Sequence, residues 1–192
     1  FNTQARKIKA AKADAVMISA HPFTTCGFLR EAKRQRIKPK ILIGLTSTSS
    51  IETLQACPRE AESMIIPTGF APVNEEAQRI AKMVGEKGGF MDIHSAAVWE
   101  IMTVVVEALE NTDVQLTPET VAVDRRKIRD YVANVGGWKG LLGRIVSKNQ
   151  ESAEHDGDVS KPWLLAEAQG SKWGIYWLPK ALGGTGPLKG VD

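Results

Sequence analysis

Ala15-Val16-Met17-Ile18, Ile41-Leu42-Ile43 and Met64-Ile65-Ile66 are three short, unbroken apolar runs within the first 66 residues. Between them the spacing is helical: residues 1–13 form a basic amphipathic pattern with Ile8 on its apolar side, and residues 28–36 are helical again. Short continuous apolar runs separated by helices predict parallel strands covered on both faces, so the expected fold class is α/β. Ligands of such sheets sit beyond the carboxyl ends of the strands. The segments Ser19-Ala20-His21-Pro22-Phe23-Thr24 and Gly44-Leu45-Thr46-Ser47-Thr48-Ser49-Ser50 are therefore the first candidates for function.

Downstream of the third run, Pro67-Thr68-Gly69-Phe70-Ala71-Pro72-Val73-Asn74 reads as a crossover or hinge. Asn74 caps a helix with Glu75 and Glu76 in its first turn, running to about Gly88-Gly89. A longer helix is expected over residues 92–111. Its Ala97, Ile101, Val104, Val105, Ala108 and Leu109 keep helical spacing, and its β-branched run predicts deep burial. A linker with Thr117-Pro118 leads to a helix over about 124–135. From Gly136 the period changes: a turn cluster (136–140), a short strand (142–146), an acidic loop (151–158), and two strands (162–168 and 172–178) flanking the hairpin turn Gln169-Gly170-Ser171. The tail, 179–192, with Gly183-Gly184-Thr185-Gly186-Pro187, is expected to be flexible.

A chain of 192 residues, 43% hydrophobic and 24% charged, is of the ordinary globular class and large enough for one domain or parts of two. Its apolar runs fall far short of the roughly 20 residues that cross a bilayer. Residue 1 opens directly on a helical pattern, which fits a mature, truncated or proteolysed chain. The net charge of +3 hides a basic opening: residues 1–40 carry ten Lys and Arg against Asp14 and Glu31. These bases fall on the solvent faces of two helices with few aromatics among them, so no nucleic-acid surface is expected. Cys26 and Cys57 lack metal-ligand spacing. Cys26 lies in a first helical turn, where a thiolate would be favoured, and reads as a small buried residue; a Cys26–Cys57 bridge stays open.

An ordered succession of segments carries a resemblance. Phe1-Asn2-Thr3-Gln4 leads through Ile8 to Ala13-Asp14-Ala15-Val16, then Gly27-Phe28-Leu29-Arg30-Glu31-Ala32-Lys33. Ala61-Glu62-Ser63-Met64-Ile65 precedes the Pro-rich crossover, and His94-Ser95-Ala96-Ala97-Val98 leads to Glu107-Ala108-Leu109-Glu110. Trp138-Lys139-Gly140-Leu141-Leu142-Gly143, Asp156-Gly157-Asp158 and Gly170-Ser171-Lys172-Trp173 follow. Over residues 1–178 the chain resembles the C-terminal portion of type I periplasmic solute-binding proteins of ABC transporters, of the leucine/isoleucine/valine-binding kind.

The resemblance implies two three-layer α/β lobes with parallel sheets, incomplete in this chain. Residues 1–70 and 160–178 would belong to the second, C-terminal lobe. Residues 71–159 would be the returning part of the first, N-terminal lobe, with the hinge near 68–73. It implies an extracytoplasmic receptor that captures a small solute (an amino acid, carboxylate or amide) by hinge closure and delivers it to a membrane permease. The signal peptide and the N-terminal portion would lie outside this chain. The same fold also serves as the sensing domain of signalling receptors or regulators.

Site residues follow from the same plan, in which loops after the second-lobe strands offer an aromatic and then an acid that meets a ligand ammonium. The first loop here holds His21, Pro22 and Phe23, and the second holds Thr46 and Ser47. No carboxylate stands in the second loop. This departure disfavours an α-ammonium, whose burial without a counter-charge is costly. Hydroxyls and the helix start at 47–51 instead suit a carboxylate or neutral polar group, or serve only as an N-cap. Phe70 and Asp92 complete the candidate set: Phe70 against an apolar ligand or in the core, Asp92 at the cleft or as a helix cap. The acidic loop lacks the alternation of a calcium loop, and no cofactor or metal is expected. Cys26 with His21 is the sole nucleophile–base pair in the sequence and has no orienting third group, so no enzyme is expected.

Overall fold

The computed structural model describes residues 1–134, 138–141, 144–146, 158–160 and 163–184. The chain runs α1 (Asn2–Ala11), β1 (Ala15–Ile18), α2 (Pro22–Arg34), β2 (Ile41–Gly44), a 3-10 turn (Thr46–Thr48), α3 (Ile51–Ala56), α4 (Pro58–Ala61) and β3 (Ile65–Thr68). It continues with α5 (Glu75–Glu86), α6 (Ile93–Asn111), α7 (Val121–Asn134), β4 (Trp138–Lys139), β5 (Arg144–Val146), β6 (Asp158–Ser160), β7 (Leu164–Gln169) and β8 (Lys172–Trp177). Among the described residues the main sheet has the order β1-β2-β3-β7-β8. The three apolar runs do pair in parallel, with Ala15 opposite Ile41 and Ile43 opposite Ile65. The expected hairpin joins the same sheet, β7 lying antiparallel to β3 with Ile66 opposite Ala166. Its turn places Gly170 at φ +63°, where a side chain would strain the backbone. A smaller sheet of order β4-β5-β6 stands apart.

Burial explains why these segments pair. Leu54, Met64, Ile66, Ile80 and Leu164 are almost wholly buried in one apolar cluster. That cluster runs through residue 71 without a break: Phe70, Ala71, Ala77, Met91, Ala96 and Leu141 all belong to it. Leu141 is gripped on both sides of its peptide. Its N–H donates to Glu100 Oε1 (2.6 Å), and its carbonyl accepts from Asn74 Nδ2 (2.7 Å). Asn74 Oδ1 meanwhile caps α5 by accepting from Ala77 N–H (2.9 Å), as its place before two glutamates predicts.

Several boundaries and one burial expectation change. α2 begins at Pro22, not residue 28, because a proline at the first helical position has its φ preset and no N–H to leave unpaired. β3 extends to Pro67 and Thr68 by pairing with β7. Trp138–Lys139, read as part of a turn, is a strand pairing with Arg144 and Ile145, and β6 was not foreseen. The tail includes a 3-10 turn at Lys180–Leu182. The turn residues 136–137, the strand start 142–143, the acidic loop over 151–157 and the tail over 185–192 lie outside the described residues. The sheet is not covered on both faces at its β1 edge, where Met17 is 63% exposed. Nor is α6 deeply buried: Ala96, Glu100, Val104 and Ala108 face inward, whereas Ile101 is 61% exposed. Val98, Met102 and Val106 share this open apolar stripe, with no layer among the described residues to cover it.

Candidate functional site

The carboxyl ends of β1, β2 and β3 open on the same end of the sheet, because parallel pairing puts successive βα loops side by side. Close approach sets the loop after β2. A Cβ at Gly44 would lie 2.1 Å from Thr48 Oγ1 and 3.1 Å from Met64 Sδ, so only glycine fits there. Leu45 N–H donates to the Ile18 carbonyl (2.9 Å), which carries the strand pairing into the loop. Ser47 Oγ donates to the Ala20 carbonyl (3.1 Å), and Thr25 Oγ1 donates to the same oxygen (3.2 Å). The two candidate loops are thereby stitched together.

The predicted residues fall into two groups. His21, Phe23 and Thr46 are exposed at this open end, with Phe23 89% exposed; Pro22 and Ser47 are half-buried. Phe70 and Asp92 instead line a cavity of about 450 Å³ that Ser49 of the second loop also reaches. A volume of this order suits a small solute. Its walls are largely apolar, with Ile66, Met91, Ile93 and Trp173 beside Phe70. Thr68 fixes Phe70 in place: its Oγ1 accepts from Phe70 N–H and donates to the Phe70 carbonyl, both at 3.3 Å. Asp92 Oδ1 accepts from Ser95 N–H (2.9 Å) and so caps α6, one of the two roles expected for it.

Most of the loop hydroxyls are turned to local duty. Thr48 Oγ1 donates to the Leu45 carbonyl and Ser49 Oγ to the Thr46 carbonyl, both at 2.6 Å. Ser50 Oγ accepts from Glu52 N–H (3.2 Å) and caps α3, a helix of only six residues. Ser49 belongs to the second candidate segment, whereas sequence reasoning missed Thr68, Trp173 and Lys172 as lining residues. Thr68 was legible as the residue ending the third strand; Trp173 and Lys172 become neighbours only through the β3–β7 pairing, which carries no local signal. Cys26 and Cys57 are both 1% exposed and joined in a disulfide, with Cα atoms 5.6 Å apart, which closes the open alternative and removes any free thiol. Among the described residues no group of His, Cys, Asp and Glu could hold a metal ion.

The family model described as "Periplasmic binding protein" matches residues 1–172. The chain belongs to the periplasmic binding protein family. Solved binding proteins share the fold. The leucine-binding protein LivK of Thermotoga maritima superposes with a TM-score of 0.71 at 17% identity, over 91% of this chain and 47% of that one. LivJ of Streptococcus pneumoniae, a branched-chain amino acid transporter substrate-binding protein solved with isoleucine, gives 0.73 at 16% identity, over 90% and 46%. A putative branched-chain amino acid ABC transporter protein of Rhodospirillum rubrum gives 0.61 at 14%, over 91% and 48%. No curated protein matches by sequence. The chain spans about half the length of these structures and thus carries only part of the binding-protein fold. Proteins of this family bind substrates rather than transform them and work outside the cytoplasm. A buried disulfide suits that setting.

Proposed function

We propose that this binding protein is part of an extracytoplasmic receptor that captures a small solute and hands it to the permease of an ABC importer. The family match across residues 1–172 carries the reading. In it, residues 1–70 and 160–178 belong to the second lobe and 71–159 to the returning part of the first, with the hinge at 68–73. An N-terminal portion of the same protein supplies the rest of the first lobe and covers the open stripe of α6, where Val98, Ile101, Met102 and Val106 are 47–61% exposed.

His21, Pro22, Phe23, Thr46 and Ser47 contact the ligand from the second lobe, and Phe70 and Asp92 close over it from the crossover side. Closure stabilises the bound state by the ligand's differential affinity for the closed form. The ligand has an apolar body, matched to the Phe70 and Ile66 walls, and a polar or carboxylate head. The absence of a carboxylate at 45–50 favours carboxylates and amides over simple amino acids. Calorimetric titration of the complete two-lobed protein with isoleucine, leucine, aromatic carboxylates and amides tests this. Saturable binding of at least one, recovered chemically unchanged, is expected; conversion of the bound solute to a product overturns the reading.

A further inference from the structure

We infer that the Cys26–Cys57 disulfide is a positioning brace for the ligand-contact loops, holding the loop after β1 and the loop after β2 as one platform. The inference rests on the proposed binding role of those loops. Cys26 sits one turn into α2, just beyond His21, Pro22 and Phe23; Cys57 forms the corner between α3 and α4, at the far end of the short helix α3 that follows the loop carrying Thr46 and Ser47. The bridge therefore joins the two βα units at the same end as the candidate site. Non-covalent ties run in parallel with it, among them Leu45 N–H to the Ile18 carbonyl (2.9 Å), Ser47 Oγ to the Ala20 carbonyl (3.1 Å), Arg30 Nη2 to the Ala56 carbonyl (2.6 Å), and Lys33 Nζ to Glu60 Oε1 (3.1 Å).

The seam between the units explains why a covalent tie is useful there. Thr25, Thr48 and Thr53 are fully buried and Ser49 nearly so, a run of hydroxyls where a core usually packs branched apolar side chains. Thr53 Oγ1 is buried with no hydrogen-bond partner, a cost rather than a gain. Both sulfurs pack against the Thr53 carbonyl oxygen, at 3.6 and 3.4 Å. Leu29, Leu54 and Ala61 bury apolar surface beside these hydroxyls, but the polar ties from Arg30 and Lys33 hang on exposed α2 side chains and add little. The bridge is the one covalent tie between the units, and neither salt nor competing water weakens it. Burial of both cysteines to 1% exposure shields it from thiols, so it is a permanent brace and not a switch.

Hydrogen exchange on the full chain tests the brace without needing a ligand, so its outcome is separate from that of the binding titration. The reporters are the amides of Leu45, Thr48 and Ser49 in the second loop and of Thr25 in the first turn of α2; the Ser63 and Ala168 amides, bonded between the residues just before β3 and β7, serve as reference. The double variant Cys26→Ala with Cys57→Ala is compared with Ile80→Val, which trims the core away from the seam. If the bridge is a brace, its removal speeds loop exchange about tenfold or more relative to the reference amides, and Ile80→Val leaves that ratio unchanged. Equal acceleration of loops and reference, or none, overturns the inference. If the double variant does not fold, the bridge is a general staple of the fold and the inference is overturned.

Discussion

At the scale of single residues, exposure separates the proposed ligand contacts from the residues that hold the fold. Phe23 is 89% exposed at the carboxyl end of β1, where it contributes nothing to the core. Phe23→Ala should leave stability within about 0.5 kcal/mol of wild type in urea titrations while weakening solute binding severalfold by calorimetry. Unchanged affinity would remove Phe23 from the site. Glu31 shows the opposite, a residue serving structure alone. Arg34 donates to it at 2.7 and 2.9 Å and Gln35 at 2.5 Å, and these bonds, Arg34's first, lower its carboxyl from 4.5 to about 2. Asn2 Nδ2 reaches the same carboxylate from α1 at 3.3 Å. Because the folded value lies below the unfolded one, Glu31's contribution is complete above pH 4.5 and is lost as pH falls through about 2. The urea midpoints of wild type and Glu31→Gln should therefore differ at neutral pH and converge near pH 2, with a smaller gap in high salt. A gap that persists at pH 2 would contradict the assignment.

At the scale of elements, the contrast lies along α6. Val104 is 7% exposed and Ile101 is 61% exposed, three residues apart on one helix. Val104→Ala should cost about 1.5 kcal/mol from the two methyl groups lost to the core, and Ile101→Ala close to nothing in this chain, both by urea unfolding. In the complete protein Ile101→Ala should become costly, because the proposed N-terminal portion buries it. The helical spacing and β-branched run of α6 predict deep burial but cannot show which face lacks a partner among the described residues. The same limit applies elsewhere. The Val16 and Ile43 runs announced parallel strands because continuous hydrophobicity is a local signal. The Asn74 and Asp92 caps were legible because capping is decided within three residues. β4 and β6 escaped notice because two- and three-residue strands exist only through their pairing with β5. The placement of Trp173 at the cavity and the pairing of Cys26 with Cys57 are likewise products of chain reversal, not of local composition.

At the scale of the whole molecule, the chain is a binding protein of about half the length of the structures it resembles. Under the proposed reading, the missing part of the fold would cover two open features: the face of α6 and a β1 edge whose Met17 is 63% exposed. Edges and apolar stripes of this kind associate readily when left uncovered. The central claim is that the chain captures a small solute together with the rest of its own fold and leaves that solute chemically intact. Native mass spectrometry of the protein as isolated, followed by denaturing release, tests it most directly. The expected result is a complex that contains a further polypeptide or the longer parent chain, and that releases a small carboxylate, amide or amino acid unchanged after prolonged incubation. A bound solute that disappears with time as a product accumulates would contradict it.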